Sequence, residues 1–217
     1  MNMEIKLRDE ELNKSTYSNK IFNILLYFFL YSFCGWVFET IYSSIYHGHF
    51  VKRGFLIGPI CGIYGIGTIL VIYILGHIKA HPFLLFLCSS LLTSILELIV
   101  GILLKALLDQ RLWNYSDKFA NFMGFICLRN TLIWGILALF VIYKVHPFII
   151  KLITSIPIRT KKLICYTVFI AICFDLSISI YTSLNGIGNF TWLSQIFLQK
   201  LDKIVNVSSK VVYYISH

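Results

Sequence analysis

Charge is scarce in this sequence. Only 13% of its 217 residues are Asp, Glu, Lys or Arg, where a soluble domain carries about a quarter. Alternating apolar segments of about ten residues are missing, which excludes a membrane barrel. The six cysteines (Cys34, Cys61, Cys88, Cys127, Cys165 and Cys173) form no CxxC, so they read as small buried hydrophobes rather than a redox or zinc framework. No glycine-rich loop ends in Gly-Lys-Ser or Gly-Lys-Thr, so the chain has no P-loop of its own. No Ser/His/Asp or Cys/His arrangement has local support, and His47 and His49 alone are too few ligands for a metal. The sequence therefore predicts no metal and no cofactor, and gives no sign of a catalytic activity of the chain's own.

Apolar residues are abundant. The chain is 58% hydrophobic and 16% aromatic, with a mean hydropathy of +0.77. Five stretches reach the roughly 20 residues needed to cross a hydrocarbon core: Ile21–Tyr46, Phe55–Ile78, Pro82–Leu108, Asn121–Tyr143 and Leu163–Leu184. In lipid every backbone group must be bonded internally, so such runs are helices. Pro82 opens the third, where a missing N–H costs little, and Pro147 is expected to end the fourth. The fold class is an all-α polytopic membrane protein of about five transmembrane helices. Residues 1–20 read as a polar tail with no cleaved signal, 21–184 as the helical membrane domain and 185–217 as an amphipathic C-terminal segment. In that last segment Trp192, Ile196, Phe197, Leu201, Ile204 and Val205 recur at helical spacing, which suggests a helix lying on the membrane; a sixth span is the alternative.

Lysines and arginines orient the chain. With the N-terminus inside, the inner segments hold ten and the outer segments eight, so a cytoplasmic N-terminus in a multi-pass cell-membrane protein is favoured. The net charge of +9 suits anionic lipid and, with no soluble basic domain to present it, does not point to nucleic acid. A parallel repeat of two-helix units is suggested by Gly58-Pro59-Ile60-Cys61 with Gly124-Phe125-Ile126-Cys127, by Val71-Ile72-Tyr73 with Val141-Ile142-Tyr143, by His81-Pro82-Phe83 with His146-Pro147-Phe148, and by Glu39 with Glu97.

Candidate chemistry lies in the charges that do enter the spans. A charge near the bilayer centre costs about 2.5–3.5 kcal/mol on insertion scales, so such residues face the protein interior. Glu39 shares a helical face with Ser32, Gly35, Trp36 and Ser43; Glu97 with Ser90, Thr93, Ser94 and Gly101; Asp175 with Ala171, Ser179 and Thr182. At 1.5 Å per residue, Glu39 and Glu97 lie roughly 27 and 22 Å from the inner ends of their spans, and Arg129 roughly 12 Å from the outer end of its own. All three fall in one half of the membrane, with Lys52 and Arg53 just beyond. The cost of an uncompensated charge predicts that Arg129 pairs with Glu39 or Glu97 in an intramembrane cavity. Helix–helix packing or a ligand, ion or proton site both remain open for the acids. Gly58 and Gly62 form a GxxxG spacing suited to close helix packing, and the Gly58-Pro59 pair could break the second helix. Trp113 and Tyr115 belong at the membrane interface, where anchoring explains them.

Tyr31-Ser32-Phe33-Cys34-Gly35-Trp36-Val37-Phe38-Glu39-Thr40 resembles the YSFxGWxxET signature of the type IV ABC-transporter permease family called CmpB-like. So do Arg53-Gly54-Phe55-Leu56-Ile57-Gly58-Pro59 and Ile63-Tyr64-Gly65. Trp113-Asn114-Tyr115-Ser116, Asn121, Gly124, Ile126-Cys127-Leu128 and Trp134-Gly135 resemble that family's second block. The family usually has Asp where Asn114 stands, and Arg129 is not a typical position. The resemblance covers roughly Ile24 to Pro147. It implies a permease-like subunit of an ABC-type transporter, needing a separate ATPase subunit and, with so few spans, a homodimer or another partner in the bilayer. The other readings left open are an integral membrane enzyme or lipid-handling protein, and a non-catalytic accessory subunit.

Overall fold

The computed structural model describes residues 2–184, with side chains from residue 19 onward; the expected amphipathic C-terminal segment lies outside the described residues. Among the described residues there are five helices: α1 (Asn2–His47), α2 (Gly62–Ile78), α3 (Pro82–Leu108), α4 (Leu128–Thr154) and α5 (Ile158–Leu184). Four of these are long and apolar enough to cross a membrane, counting Asn19–His47 within α1. The fifth, α2, is apolar but shorter. The expected polar tail is helical from Asn2 and continuous with α1.

Two spans start later than their hydropathy suggested, because backbone conformation and not apolarity sets a helix start. The expected second span opened at Phe55, but residues 54–61 form an irregular segment and α2 begins at Gly62. Gly54 there has φ +92°, and Pro59 offers no N–H for a helix to use. The expected fourth span opened at Asn121. Instead Asn121–Phe122 (β1) and Ile126–Cys127 (β2) pair antiparallel as a small ribbon, and α4 starts at Leu128. Met123 and Gly124, both with positive φ, make its turn.

Pro147 does not end its helix. The preceding turn, Val141–Val145, is a π-turn, and the His146 N–H bonds to the Val141 carbonyl five residues back. The wider turn relieves the clash between a proline ring and the carbonyl four residues earlier, so α4 continues to Thr154. The corresponding stretch of α2, Val71–Leu75, is also a π-turn. There the chain breaks after Ile78 and restarts at Pro82, the first residue of α3. At its far end α3 stops at Asp109, in a left-handed conformation with its N–H bonded to the Leu104 carbonyl.

Small residues bring the helices together in two similar pairs, α1 with α2 and α3 with α4. A Cβ on Gly65 would overlap the Ser32 hydroxyl and the Phe28 carbonyl. A Cβ on Gly135 would overlap the Ser90 hydroxyl and the Phe86 ring. Phe28, Ser32 and Glu39 are spaced as Phe86, Ser90 and Glu97 are, and Gly54, Phe55, Tyr64, Gly65 and Val71 as Gly124, Phe125, Trp134, Gly135 and Val141. The structural match for Gly124-Phe125 is thus Gly54-Phe55, whose glycines both have positive φ, rather than Gly58-Pro59. The Gly58/Gly62 spacing does not mediate helix contact: space around Gly62 is open, and Gly58 faces the Asp175 carboxylate.

The largest apolar core joins Phe22, Leu26 and Phe29 of α1 to Ile149 and Ile153 of α4 and Cys165 of α5. A second cluster joins Val71, Leu85, Ala138 and Ile142. Large apolar side chains such as Ile45, Phe83 and Phe174 point outward, the pattern of helices solvated by hydrocarbon. Because a Cβ at Gly65 would press on backbone as well as side chain, Gly65→Ala should lower stability by about 1–3 kcal/mol. Gly62→Ala should change it by less than about 0.5 kcal/mol. Thermal unfolding of the two variants in one detergent measures the difference.

Candidate functional site

A cavity of about 190 Å³ lies where α1 to α4 converge, and it is almost wholly apolar. Tyr31 and Phe38 reach it from α1, Tyr64 from α2, Glu97 from α3 and Trp134 from α4. Tyr64 and Trp134 occupy corresponding positions of the two helix pairs, and their rings meet with centroids 4.9 Å apart. Each precedes the glycine that lets its own helix pair close, so glycine packing fixes both rings. The Tyr31 hydroxyl shares a 2.8 Å hydrogen bond with Nδ1 of His146.

Glu97 is the charged residue of this wall. It is only 3% exposed. One carboxylate oxygen accepts the Tyr115 hydroxyl at 3.2 Å; the other is buried and makes no full hydrogen bond, the Trp134 indole N–H being the further donor that acts on the group. Tyr115 belongs to the connection between α3 and α4, whose folding aims it. The Tyr115 N–H bonds the Gly124 carbonyl at 2.9 Å, and the Trp113 indole N–H bonds the Phe125 carbonyl at 2.8 Å. Asn121 donates to the Ser116 and Lys118 carbonyls, and Asn114 accepts from the Ser116 N–H and hydroxyl. Gly124, at φ +71°, leaves no room for a side chain against Ser116, Arg111 and Asn114. Trp113, Tyr115, Asn121 and Gly124 thus build one loop that presents a phenol to Glu97. The Tyr115 phenol is held above its ordinary pKa, first by burial, then by the charge and hydrogen bond of Glu97, and also by Glu39, which places the two acids in one neighbourhood.

Glu39 has a different partner. Arg53, from the connection between α1 and α2, approaches it through both Nε and an NH2 group at 3.2 Å, and the Cys61 thiol lies 3.7 Å from its other oxygen. The cation at Glu39 is therefore Arg53, not the expected Arg129. Arg129 is exposed at the start of α4 and forms no ion pair among the described residues.

Asp175 is separate again. From α5 it accepts the N–H groups of Ile57 and Gly58, each at 2.7 Å, and the Ser179 hydroxyl at 3.2 Å. It ties the irregular segment around Gly58-Pro59 to the last helix. Gly35 leaves α1 open to the Tyr64 ring, and Trp36 stacks on Phe33 with its indole nitrogen buried and unpaired. Tyr64 and Trp134 carry the cavity geometry, yet nothing but motif likeness marked them in the sequence. The usable signal was an aromatic-glycine dipeptide repeated at matching positions.

Lys52 lies in the same connection as Arg53 and donates to the Leu56 carbonyl at 2.8 Å. Burial pushes its pKa down to about 8, while the Asp175 charge opposes that shift. A lowered lysine pKa favours the neutral form in the folded state. The resulting cost to stability is full below about pH 8 and disappears above the ordinary 10.5. Reductive methylation of Lys52, followed by mass spectrometry, should therefore be half-maximal near pH 8, well below exposed lysines. In Asp175→Asn the midpoint should move lower still.

The family described as Putative ABC-transporter type IV matches residues 26–180. The match extends past Pro147 and takes in nearly all of α5, which the motif resemblance had left outside. No curated protein and no solved structure matches the chain.

Proposed function

We propose that this chain, which belongs to the family described as Putative ABC-transporter type IV, is the permease-like membrane subunit of an ABC-type transporter. The observation that carries the reading is the chamber where α1 to α4 converge, almost wholly apolar and walled by a buried carboxylate with one oxygen short of a full hydrogen bond. Such an arrangement is expected of a substrate path: a polar group inside a membrane is costly and marks a pathway more often than it serves packing. With no P-loop in its sequence, the chain would draw its energy from a separate ATPase subunit. Among the described residues four helices have clear spanning length, few for a translocation path, which favours a homodimer. We place it in the cell membrane with the N-terminus in the cytoplasm, on the lysine and arginine count. The matched spacing of the two helix pairs supports an internal duplication, parallel about the membrane normal. Within the proposed path Glu97 is the substrate-facing acid, Glu39 with Arg53 a closing ion pair and Arg129 a surface cation outside it.

A second reading, a non-catalytic accessory subunit, is favoured at one point, because Asp175 spends its carboxylate on backbone N–H groups as structural glue. Affinity purification from native membranes separates the two. A permease subunit should bring down an ATPase, and proteoliposomes of that complex should show ATP-dependent uptake that Glu97→Gln reduces by about tenfold or more while the complex stays assembled. An accessory subunit would leave uptake unchanged in Glu97→Gln.

A further inference from the structure

Glu97 and Glu39 stand at matching places in the two helix pairs, yet they are satisfied differently. Glu39 has a guanidinium, whereas Glu97 has only neutral donors, the Tyr115 phenol and the Trp134 indole, and one oxygen without a full hydrogen bond. Among the described residues no lysine, arginine or histidine lines the cavity around Glu97. An anionic ligand would meet a carboxylate there with no cation to offset it. A purely apolar ligand would leave that oxygen unpaired and forfeit the strongest interaction the wall offers. A divalent metal needs more donors than one carboxylate, and among the described residues no three His, Cys, Asp or Glu side chains converge on a point.

What remains is a cation that brings its own apolar body. The ring pair of Tyr64 and Trp134, with Tyr31 across the chamber, supplies the π-faces that attract an ammonium group. The volume of about 190 Å³ is of the size that admits a benzene-sized group, since an engineered cavity near 150 Å³ takes benzene. We infer that the cavity is a binding site for a small hydrophobic amine, held as an ammonium–carboxylate pair on Glu97 and packed against the joined rings of Tyr64 and Trp134. Whichever of the two carries the proton on entry, the bound pair is one carboxylate and one ammonium. If Glu97 holds it, the proton passes from its oxygen to the amine nitrogen. The assignment rests on the reading of the cavity as a substrate chamber, but binding needs neither ATPase nor transport.

The test uses the full chain in lipid nanodiscs and three probes of one shape: benzylamine, benzyl alcohol and benzoate. Isothermal titration at pH 7.5 should show benzylamine binding at least about tenfold tighter than benzyl alcohol, with benzoate weaker than either. Glu97→Gln should erase the preference for the amine while leaving benzyl alcohol affinity within about twofold. Ala138→Phe, which fills the chamber without touching the carboxylate, should abolish binding of both. Equal affinity for the amine and the alcohol in the unaltered protein overturns the inference, as does a preference that survives Glu97→Gln. The comparison of probes on the unaltered protein decides the matter even if a variant fails to fold. Amine binding by a chain that brings down no ATPase would remove the permease reading and leave this site standing. An assembled, transporting complex that ignores benzylamine would do the reverse.

Discussion

A carboxylate taken out of water has to be given a partner, and the positions of the connecting segments follow from how three acids meet that demand. An ionised side chain left alone in low dielectric costs several kcal/mol, more than any one helix contact returns. Glu39 draws Arg53 back from the segment between α1 and α2. Asp175 draws the next few residues of the same segment, Ile57 and Gly58, onto α5. That segment is pinned at two points by acids on two helices, and its left-handed Gly54 and its proline are the residue types that permit such a path. Glu97 draws Tyr115 inward from the segment between α3 and α4. The segment between α1 and α2 is thus held by buried charge on two helices, whereas the segment between α3 and α4 is also held by its own ribbon and loop hydrogen bonds.

Close helix packing makes those partnerships reachable. Gly65 against Ser32 and Gly135 against Ser90 let the backbones approach until side chains seven residues on, Glu39 and Glu97, lie under the segments that cap them. The same glycines carry Tyr64 and Trp134 on the preceding residue, turned toward the space between the pairs. Packing and cavity therefore have one origin. A larger residue at either glycine would separate the helices, displace an aromatic ring and shift an acid away from its partner together.

The acids and the helices were legible in the sequence because both rest on large, one-dimensional signals: long apolar runs, and charges too costly to face lipid. The ends of α2 and α4 were not. Hydropathy cannot distinguish an apolar loop from the helix it leads into, so it assigns residues 55–61 and the ribbon at Asn121–Cys127 to helix. Pro147 was read as a stop because the π-turn that accommodates it leaves no mark in composition. The partner of Glu39 was misread for a geometric reason. Depth along an axis follows from counting residues, but the direction in which Arg129 projects does not, and Arg53 came within reach only once the chain was known to fold back. Tyr115 has an ordinary interfacial explanation as a tyrosine beside a tryptophan, and only the fold of its loop aims it at Glu97.

The unequal treatment of the two acids can be traced to one corresponding position. Gly54 and Gly124 match in spacing and in left-handed conformation. The residue before Gly54 is Arg53; the residue before Gly124 is Met123. Where the first unit delivers a guanidinium to its glutamate, the second has a thioether that is exposed and turned outward. The compensating donor, Tyr115, enters from further back in the connection and brings one hydroxyl, with no charge and no second hydrogen to offer. A phenol can satisfy one oxygen of Glu97 and cannot neutralise the group. The first helix pair is thus closed electrostatically and the second is left one cation short, on the side that faces the cavity. A bundle with an ion pair at both glutamates would hold no uncompensated carboxylate at its centre; Met123, standing where a cation would match Arg53, leaves that group to the chamber.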